Sequence, residues 1–193
     1  MAEAISKDPF ARLAERQSWI TPNAEQAVQG AVNKAVDSLG GDPLRHFLYG
    51  DWLHAPLHAM LTDVPVGAWT ASVAFDAAGA LTGNSGLDKA ADATVVVGLV
   101  GAAGAAVTGL NDWSGVDDPA VRKIGAVHGL LNVVATGLFV ASCVARCRKS
   151  RSNGRALAAL GYLVVSASAH LGGNLVYEHG MNVAAVPRAD AQG

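Results

Sequence analysis

The sequence predicts an all-α integral membrane protein, a four-helix bundle preceded by an N-terminal region of surface or amphipathic helices. The first observation is composition, because 51% of the 193 residues are hydrophobic and only 16% are charged. Soluble domains usually carry about 25% charged residues. The second observation is a set of four apolar segments, each of roughly the 20 residues that cross a hydrocarbon core of about 30 Å. Four such segments leave too little polar surface to cover them in a soluble bundle.

The four apolar segments follow a polar first quarter of the chain. We expect the spans at about 60–82, 90–110, 124–145 and 156–177. The loops between them are short, which favours antiparallel neighbours. Small residues such as Gly98 and Gly101, and Gly125 and Gly129, allow helix backbones to approach closely. We therefore divide the chain into a partly interfacial helical tail, a transmembrane bundle and a flexible C-terminal tail, at residues 1–57, 58–182 and 183–193.

The N-terminal region has helix signals of its own. Thr21 is a suitable cap residue, Pro22 follows at the first helical position, and Gly40 and Gly41 end the segment. This weakly amphipathic helix is expected either on the membrane surface or against the bundle. The next segment, "LRHFLYGDWLHAPLHAM", is rich in aromatic residues, which favour the membrane interface.

Loop charges predict the orientation. We name side A the face where the first span begins, and side B the opposite face. The side-B loop "RCRKSRSNGR" holds five basic residues and no acid, whereas the side-A loop "NDWSGVDDPAVRK" holds three aspartates and two basic residues. By the positive-inside rule, side B is cytoplasmic. Both termini of this multi-pass protein are then expected on the periplasmic or extracellular side.

Polar residues of all four spans fall in the side-A leaflet. His128 and Asn132 are four residues apart and share a helix face. His170, Asn174 and Tyr177 form a second stripe. Polar groups in lipid cost several kcal/mol unless they find partners, so both stripes are expected to face inward. The predicted pocket is lined by His58, Asp63, Asp112, His128, Asn132, His170 and Asn174.

Three interpretations of this pocket remain open. The first is structural, with hydrogen bonds across helices that fix the packing. The second is a redox site, in which two of His58, His128 and His170, above all the last two, ligate haem b or a transition metal. Residues that would orient these ligands are Asp63, Asp112, Asn132 and Asn174. The third is a proton or small-solute path.

Asp76 lies apart from this pocket, near the side-B end of the first span. Lys89 or Arg146 could reach it at that level. A charge near the membrane boundary usually has a local ion-pair partner, so we interpret Asp76 as structural.

Several other classes of function lack sequence support. A net charge of −2 gives no electrostatic basis for nucleic-acid binding. The chain contains no GxSxG, GxxxxGK[ST] or HExxH motif, no catalytic residue is indicated, and whether the protein is an enzyme stays open. Cys143 and Cys147 have neither redox nor zinc spacing. No internal repeat is evident.

Four stretches together resemble a known family. "FLYGDWLHAPLHAMLTDVPVGAWT", "GLNDW", "AVHGLLN" and "AHLGGNLVYEHG" are similar to the prokaryotic membrane proteins of the domain of unknown function 2231. His58 matches the second histidine of the family's His-Pro-Leu-His-Pro motif, and Ala55 stands at the first. The resemblance implies four transmembrane helices in a prokaryotic inner membrane. Some relatives carry a Rieske iron–sulfur domain, which implies an electron-transfer setting with a separate redox protein as partner; a homo-oligomer is the other expected assembly.

Overall fold

The computed structural model describes residues 6–181, which form seven α-helices and no strand. Three shorter N-terminal helices are followed by a single 3-10 turn: α1 (Pro9–Glu15), α2 (Pro22–Leu39), α3 (Gly41–Tyr49) and the turn Asp51–Leu53. The four long helices are α4 (Leu57–Thr82), α5 (Ser85–Ser114), α6 (Pro119–Cys147) and α7 (Arg151–Tyr177). All four are long and apolar enough to cross a membrane, so the predicted fold class is confirmed. The predicted C-terminal tail, 183–193, lies outside the described residues.

Several helices begin or end at cap residues that the sequence supplies. Thr21 caps α2 by accepting a hydrogen bond from the backbone N–H of Ala24, as predicted. Asp118 caps α6 in the same way, and Pro119 occupies the first helical position. Between α4 and α5, Gly83 turns the chain with a φ of 69°, a conformation that glycine adopts without steric cost. Asp118 lies outside the apolar segment, which is why α6 is longer than the predicted span.

The long helices pair as two antiparallel hairpins, α4 with α5 and α6 with α7. In each hairpin an aromatic side chain lies on a glycine of the neighbouring helix. A Cβ added to Gly98 would lie 2.2 Å from Nε1 of Trp69, and one added to Gly161 would lie 2.9 Å from Cε2 of Phe139. The glycines therefore make room for these rings, as small residues do at helix contacts in membranes.

The two hairpins repeat each other, so the expectation of no internal repeat is wrong. A shift of 70 residues aligns the sequence of α4 with that of α6 and pairs Ser72 with Ser142. A shift of 63 residues aligns the sequence of α5 with that of α7 and pairs Ala91 with Gly154. The contacts repeat as well, because the Ser72 hydroxyl donates to the Ala91 carbonyl at 3.2 Å and the Ser142 hydroxyl to the Gly154 carbonyl at 2.6 Å. The repeat is difficult to detect in the sequence for two reasons. The first and second helices of the hairpins align with different shifts, and few of the aligned residues are identical.

Equivalent residues of α4 and α6 also contact each other. Trp69 and Phe139, related by the shift of 70, stack with ring centroids 4.0 Å apart and planes 8° from parallel. Asp76 pairs with its equivalent, Arg146. Contacts of this kind, residue to equivalent residue, are those made across a two-fold axis. The hairpins are therefore related by an approximate two-fold axis between α4 and α6, like the parallel repeats of some transporters.

The repeat is asymmetric in charge at side B. Arg146, with a side chain only 4% exposed, contacts Asp76 and donates to Asp92 at 2.9 Å. Arg151 donates to both Asp92 oxygens at 2.6 and 2.7 Å. The first hairpin supplies the carboxylates and the second supplies guanidinium groups at the equivalent positions. We name this set the side-B ion cluster: Asp76, Asp88, Asp92, Arg146, Arg151 and Arg155. Arg146 is one of the two partners predicted for Asp76.

The N-terminal helices cover the side-A end of the bundle. Glu25 of α2 is 3% exposed and accepts a hydrogen bond from Arg122 of α6 at 3.3 Å. Gln29 donates to the carbonyls of Trp113 and Val116 at 2.9 and 3.0 Å. Of the two predicted positions for α2, the structure therefore has the one against the bundle. α1 packs against α6 and α7.

Candidate two-histidine site

His58 is the second residue of α4 and lies against α5. Its Nδ1 is 2.9 Å from the carbonyl oxygen of Ala105. A carbonyl only accepts, so Nδ1 carries the proton and Nε2 has the free lone pair. The ring lies on Gly109, where an added Cβ would come within 2.7 Å of the imidazole Cε1. The position, tautomer and packing of this imidazole are therefore set by one turn of α5.

His128 of α6 lies against α7 in the same arrangement. Its Nδ1 is 2.8 Å from the carbonyl oxygen of Ser168, and a Cβ added to Gly172 would lie 3.0 Å from its Cε1. The Ser168 hydroxyl, completely buried, is also 3.0 Å from Nδ1. The side-chain amide of Asn132 lies 3.1 Å from Nε2, and an amide N–H that donates there matches the same tautomer.

The two histidines are equivalent residues of the repeat, and so are their supports. The shift of 70 relates His58 to His128, and the shift of 63 relates the supporting turns of α5 and α7. The two imidazole centroids lie 6.5 Å apart, with planes at 88°. Two rings bound through Nε2 to one metal, at a metal–nitrogen distance of about 2.0 Å, would have centroids about 6 Å apart. The centroid distance of the two imidazoles is close to the value for a metal in line with the two rings.

His170 is not brought to these two histidines. Its side chain is 59% exposed, and Nε2 lies 2.5 Å from the Asp8 carboxylate in front of α1. Phe10 meets the same ring edge-on at a centroid distance of 5.8 Å. Tyr177, on the same predicted stripe, is 90% exposed. The expectation that this stripe faces the pocket is therefore wrong for His170 and Tyr177, because a polar partner reaches His170 from outside the bundle.

The residues expected to orient the ligands have different surroundings. Asn132 contacts His128 as described. Asn174 is 6% exposed, but its amide donates to the hydroxyl of Ser6 at 3.4 Å. Asp112 is buried, 5% exposed. Asp63 lies on the outer face of α4 with no hydrogen bond or ion pair to any residue between 6 and 181, so it is outside the predicted pocket.

Apart from Asn132, the groups that hold the two imidazoles are backbone carbonyls, glycines and Ser168, and none of these was predicted from the sequence. The signal that could have found them is the repeat, since the shift of 63 pairs Gly109 with Gly172 and Ala105 with Ser168. Within the described part of the chain, no group of three or more His, Cys, Asp or Glu side chains is placed to hold a metal ion. A metal at this site would therefore have two protein ligands, His58 and His128.

The segment before α1 is tied to the end of α7 by a carboxylate. The Ser6 hydroxyl donates to the Glu178 carboxylate at 2.7 Å, and this hydrogen bond lowers the pKa of Glu178 below its usual 4.5. At the helix start, the backbone N–H of Phe10 lowers the pKa of Asp8. Both groups are outside the spans, and both carboxylates are favoured in their charged form.

We expect the attachment of this segment to weaken in acid. A carboxylate with a lowered pKa in the folded state stabilises it above about pH 4.5, and this contribution is lost as the pH falls through the folded pKa. A spin label at Leu13→Cys, in a variant whose Cys143 and Cys147 are replaced by serine, should become more mobile as the pH falls below about 4.5. With Ser6→Ala added, the label should be more mobile already at pH 7. Equal mobility from pH 6 to pH 3, with helicity unchanged, would contradict the attachment.

Comparison with known proteins identifies a family. Residues 54–185 match a family model with the description "Predicted membrane protein (DUF2231)". The match includes both histidines and all four long helices. No curated protein and no solved structure matches the chain.

Proposed function

Since the chain belongs to DUF2231, a family of predicted membrane proteins, we propose a function for it within the membrane: a component of a redox system, whose haem or transition-metal cofactor is held by His58 and His128. The observation that carries this proposal is the repeated arrangement of the two imidazoles. Each has its Nδ1 at a backbone carbonyl, 2.9 and 2.8 Å away. Metal-binding histidines are held in this way, because the hydrogen bond at Nδ1 fixes the tautomer. Nε2 of His58 is left for the metal, whereas a metal at Nε2 of His128 would take the place of the Asn132 amide, which lies 3.1 Å from that nitrogen.

Haem iron or a transition metal at this site would supply reversible one-electron chemistry. The protein would supply the two imidazoles and an environment closed by α5 and α7. The site lies near side A, which the loop charges assign to the periplasmic or extracellular face of a prokaryotic inner membrane. An electron partner would therefore approach the site from side A.

A structural role without a cofactor is the alternative, and a specific observation favours it. The hydrogen bonds of His58 and His128 join α4 to α5 and α6 to α7, so the same imidazoles contribute to the packing of both hairpins. In this case the protein would be an accessory membrane subunit. A solute path has less support, since the buried Trp69–Phe139 stack lies on the approximate two-fold axis.

Histidine variants distinguish the two functions. We expect His58→Ala and His128→Ala each to lower haem or metal content at least tenfold, because each removes one of two protein ligands. His170→Ala is the matched control, and it should keep the content of the unaltered protein since His170 contacts Asp8 instead. The measurement is an absorption spectrum with metal analysis on protein purified in detergent. Equal content in all three variants would contradict the assigned ligands.

A further inference from the structure

A second feature of the molecule is an apolar groove between α1 and the bundle. Its volume is about 200 Å³, and its walls are almost entirely hydrocarbon. Side chains from α1, the turn after it and α6 line it, among them Phe10, Leu13, Trp19, Val127, Leu130 and Leu131. Val127 directly precedes His128 and Leu131 follows it three residues later, so the groove is in the side-A part of the bundle. It is separate from the two-histidine site, because α6 presents His128 to α7.

The groove is continuous with the outer surface of α6. Leu130 in the groove is 41% exposed, and the neighbouring Val133 and Val134 are 69% and 46% exposed. In a four-span membrane protein these side chains face lipid. Apolar cavities stay free of water, since water inside them makes too few hydrogen bonds. Hydrocarbon from the surrounding lipid is therefore the favoured occupant.

Gln17 and Trp19 place polar groups at the groove, and the opposite side of α1 carries positive charge. Trp19 donates its Nε1–H to the side chain of Gln17 at 2.7 Å. Arg12 and Arg16 are exposed on the other side of α1, and neither has an ion-pair partner within residues 6–181. Their two positive charges exceed the one negative charge of Glu15, which is the single carboxylate of α1. A short helix with apolar residues on one side and arginines on the other suits the membrane interface, where it attracts anionic headgroups.

We propose that this groove binds one acyl chain of an anionic phospholipid, with the headgroup beside Arg12 and Arg16. The volume is below the roughly 300–1,000 Å³ of sites that enclose drug-sized ligands, so it suits part of a single flexible chain. Phe10 and Trp19 place aromatic rings where the chain meets the headgroup, the level at which aromatic side chains favour the membrane interface. The site is independent of the cofactor proposed for His58 and His128.

Native mass spectrometry of the full-length protein tests this site. Protein exchanged from vesicles of phosphatidylglycerol should retain one phospholipid per chain, and at least tenfold less phosphatidylcholine. Val127→Phe, which fills the groove, should lower retention at least tenfold. Val133→Phe is the matched control, because it adds the same ring on α6 at a lipid-facing position outside the groove. Arg12→Gln with Arg16→Gln should lower retention of phosphatidylglycerol to that of phosphatidylcholine.

The proposal would be overturned by equal retention of the two lipids, by no retention of phosphatidylglycerol, or by equal retention in Val127→Phe and Val133→Phe. If Val127→Phe does not fold by circular dichroism, Leu13→Trp fills the groove from α1 instead, at a side chain that is 58% exposed. Retention by that variant at the level of the unaltered protein would equally contradict the site.

Discussion

Replacing Asp76 with alanine should lower the free energy of unfolding by about 3 kcal/mol, near the lower end for breaking a buried ion pair. Arg146 would remain in the bundle, 4% exposed, without one of its two carboxylates. The expected loss of unfolding free energy is near the lower end of that range because Asp92 still accepts a hydrogen bond from Arg146 at 2.9 Å. Unfolding in mixed detergent micelles with increasing dodecyl sulfate measures the change.

Two further variants test the reason for this loss. Asp76→Ala with Arg146→Met removes both charges, so it should be less destabilised than Asp76→Ala alone, since no charge is left unpaired. Asp63→Ala removes an exposed carboxylate from the same helix and should change the free energy by less than about 0.5 kcal/mol. A double variant that loses more than the single one would contradict the ion-pair explanation.

Replacing Trp69 with alanine should cost about 3 kcal/mol or more. Trp69 is 2% exposed, and its ring stacks on Phe139 at the approximate two-fold axis. Its Nε1–H donates to the carbonyl of Val95 at 3.4 Å, and Gly98 leaves no side chain to fill the space it would vacate. Both hairpins would therefore lose packing at their central contact.

The same unfolding measurement checks this prediction against two variants. Trp52→Ala removes an indole that is 55% exposed, and it should cost less than about 1 kcal/mol. Trp69→Phe should keep more than half of the stability that Trp69→Ala loses, since phenylalanine occupies the equivalent place in the second hairpin. Equal losses of unfolding free energy in Trp69→Ala and Trp52→Ala would contradict a packed centre of the bundle at the level of Trp69.

Features set by local physical chemistry were predictable from the sequence. Composition, spacing and depth predict the apolar length of the four spans, the Thr21 cap and an ion-pair partner for Asp76, of which Arg146 is one of the two candidates. Each depends on one helix, or on two residues at the same level of the membrane. For the same reason the side-A level of His58 and His128 could be inferred from their positions along their helices.

Features set by contacts between distant segments were not predictable. Spacing places His170 and Asn174 on one stripe of α7, but it does not reveal that the segment before α1 covers that stripe. Nor does it reveal which helix supplies the carbonyl for each imidazole. Arg151 and Arg155 count as loop charges in the sequence, yet in the structure they pair with aspartates of α5. The predicted orientation, which depends on those charges, stays a prediction.

The haem and metal content of the unaltered protein, purified from membranes of haem- and metal-replete cells, tests the two-histidine site most directly. With His58 and His128 holding one centre, we expect close to one haem or one transition-metal ion per chain. Haem would appear as a Soret band, and a metal ion would appear in elemental analysis at the same ratio. A colourless preparation without metal would contradict a redox site and leave the two imidazoles a structural role.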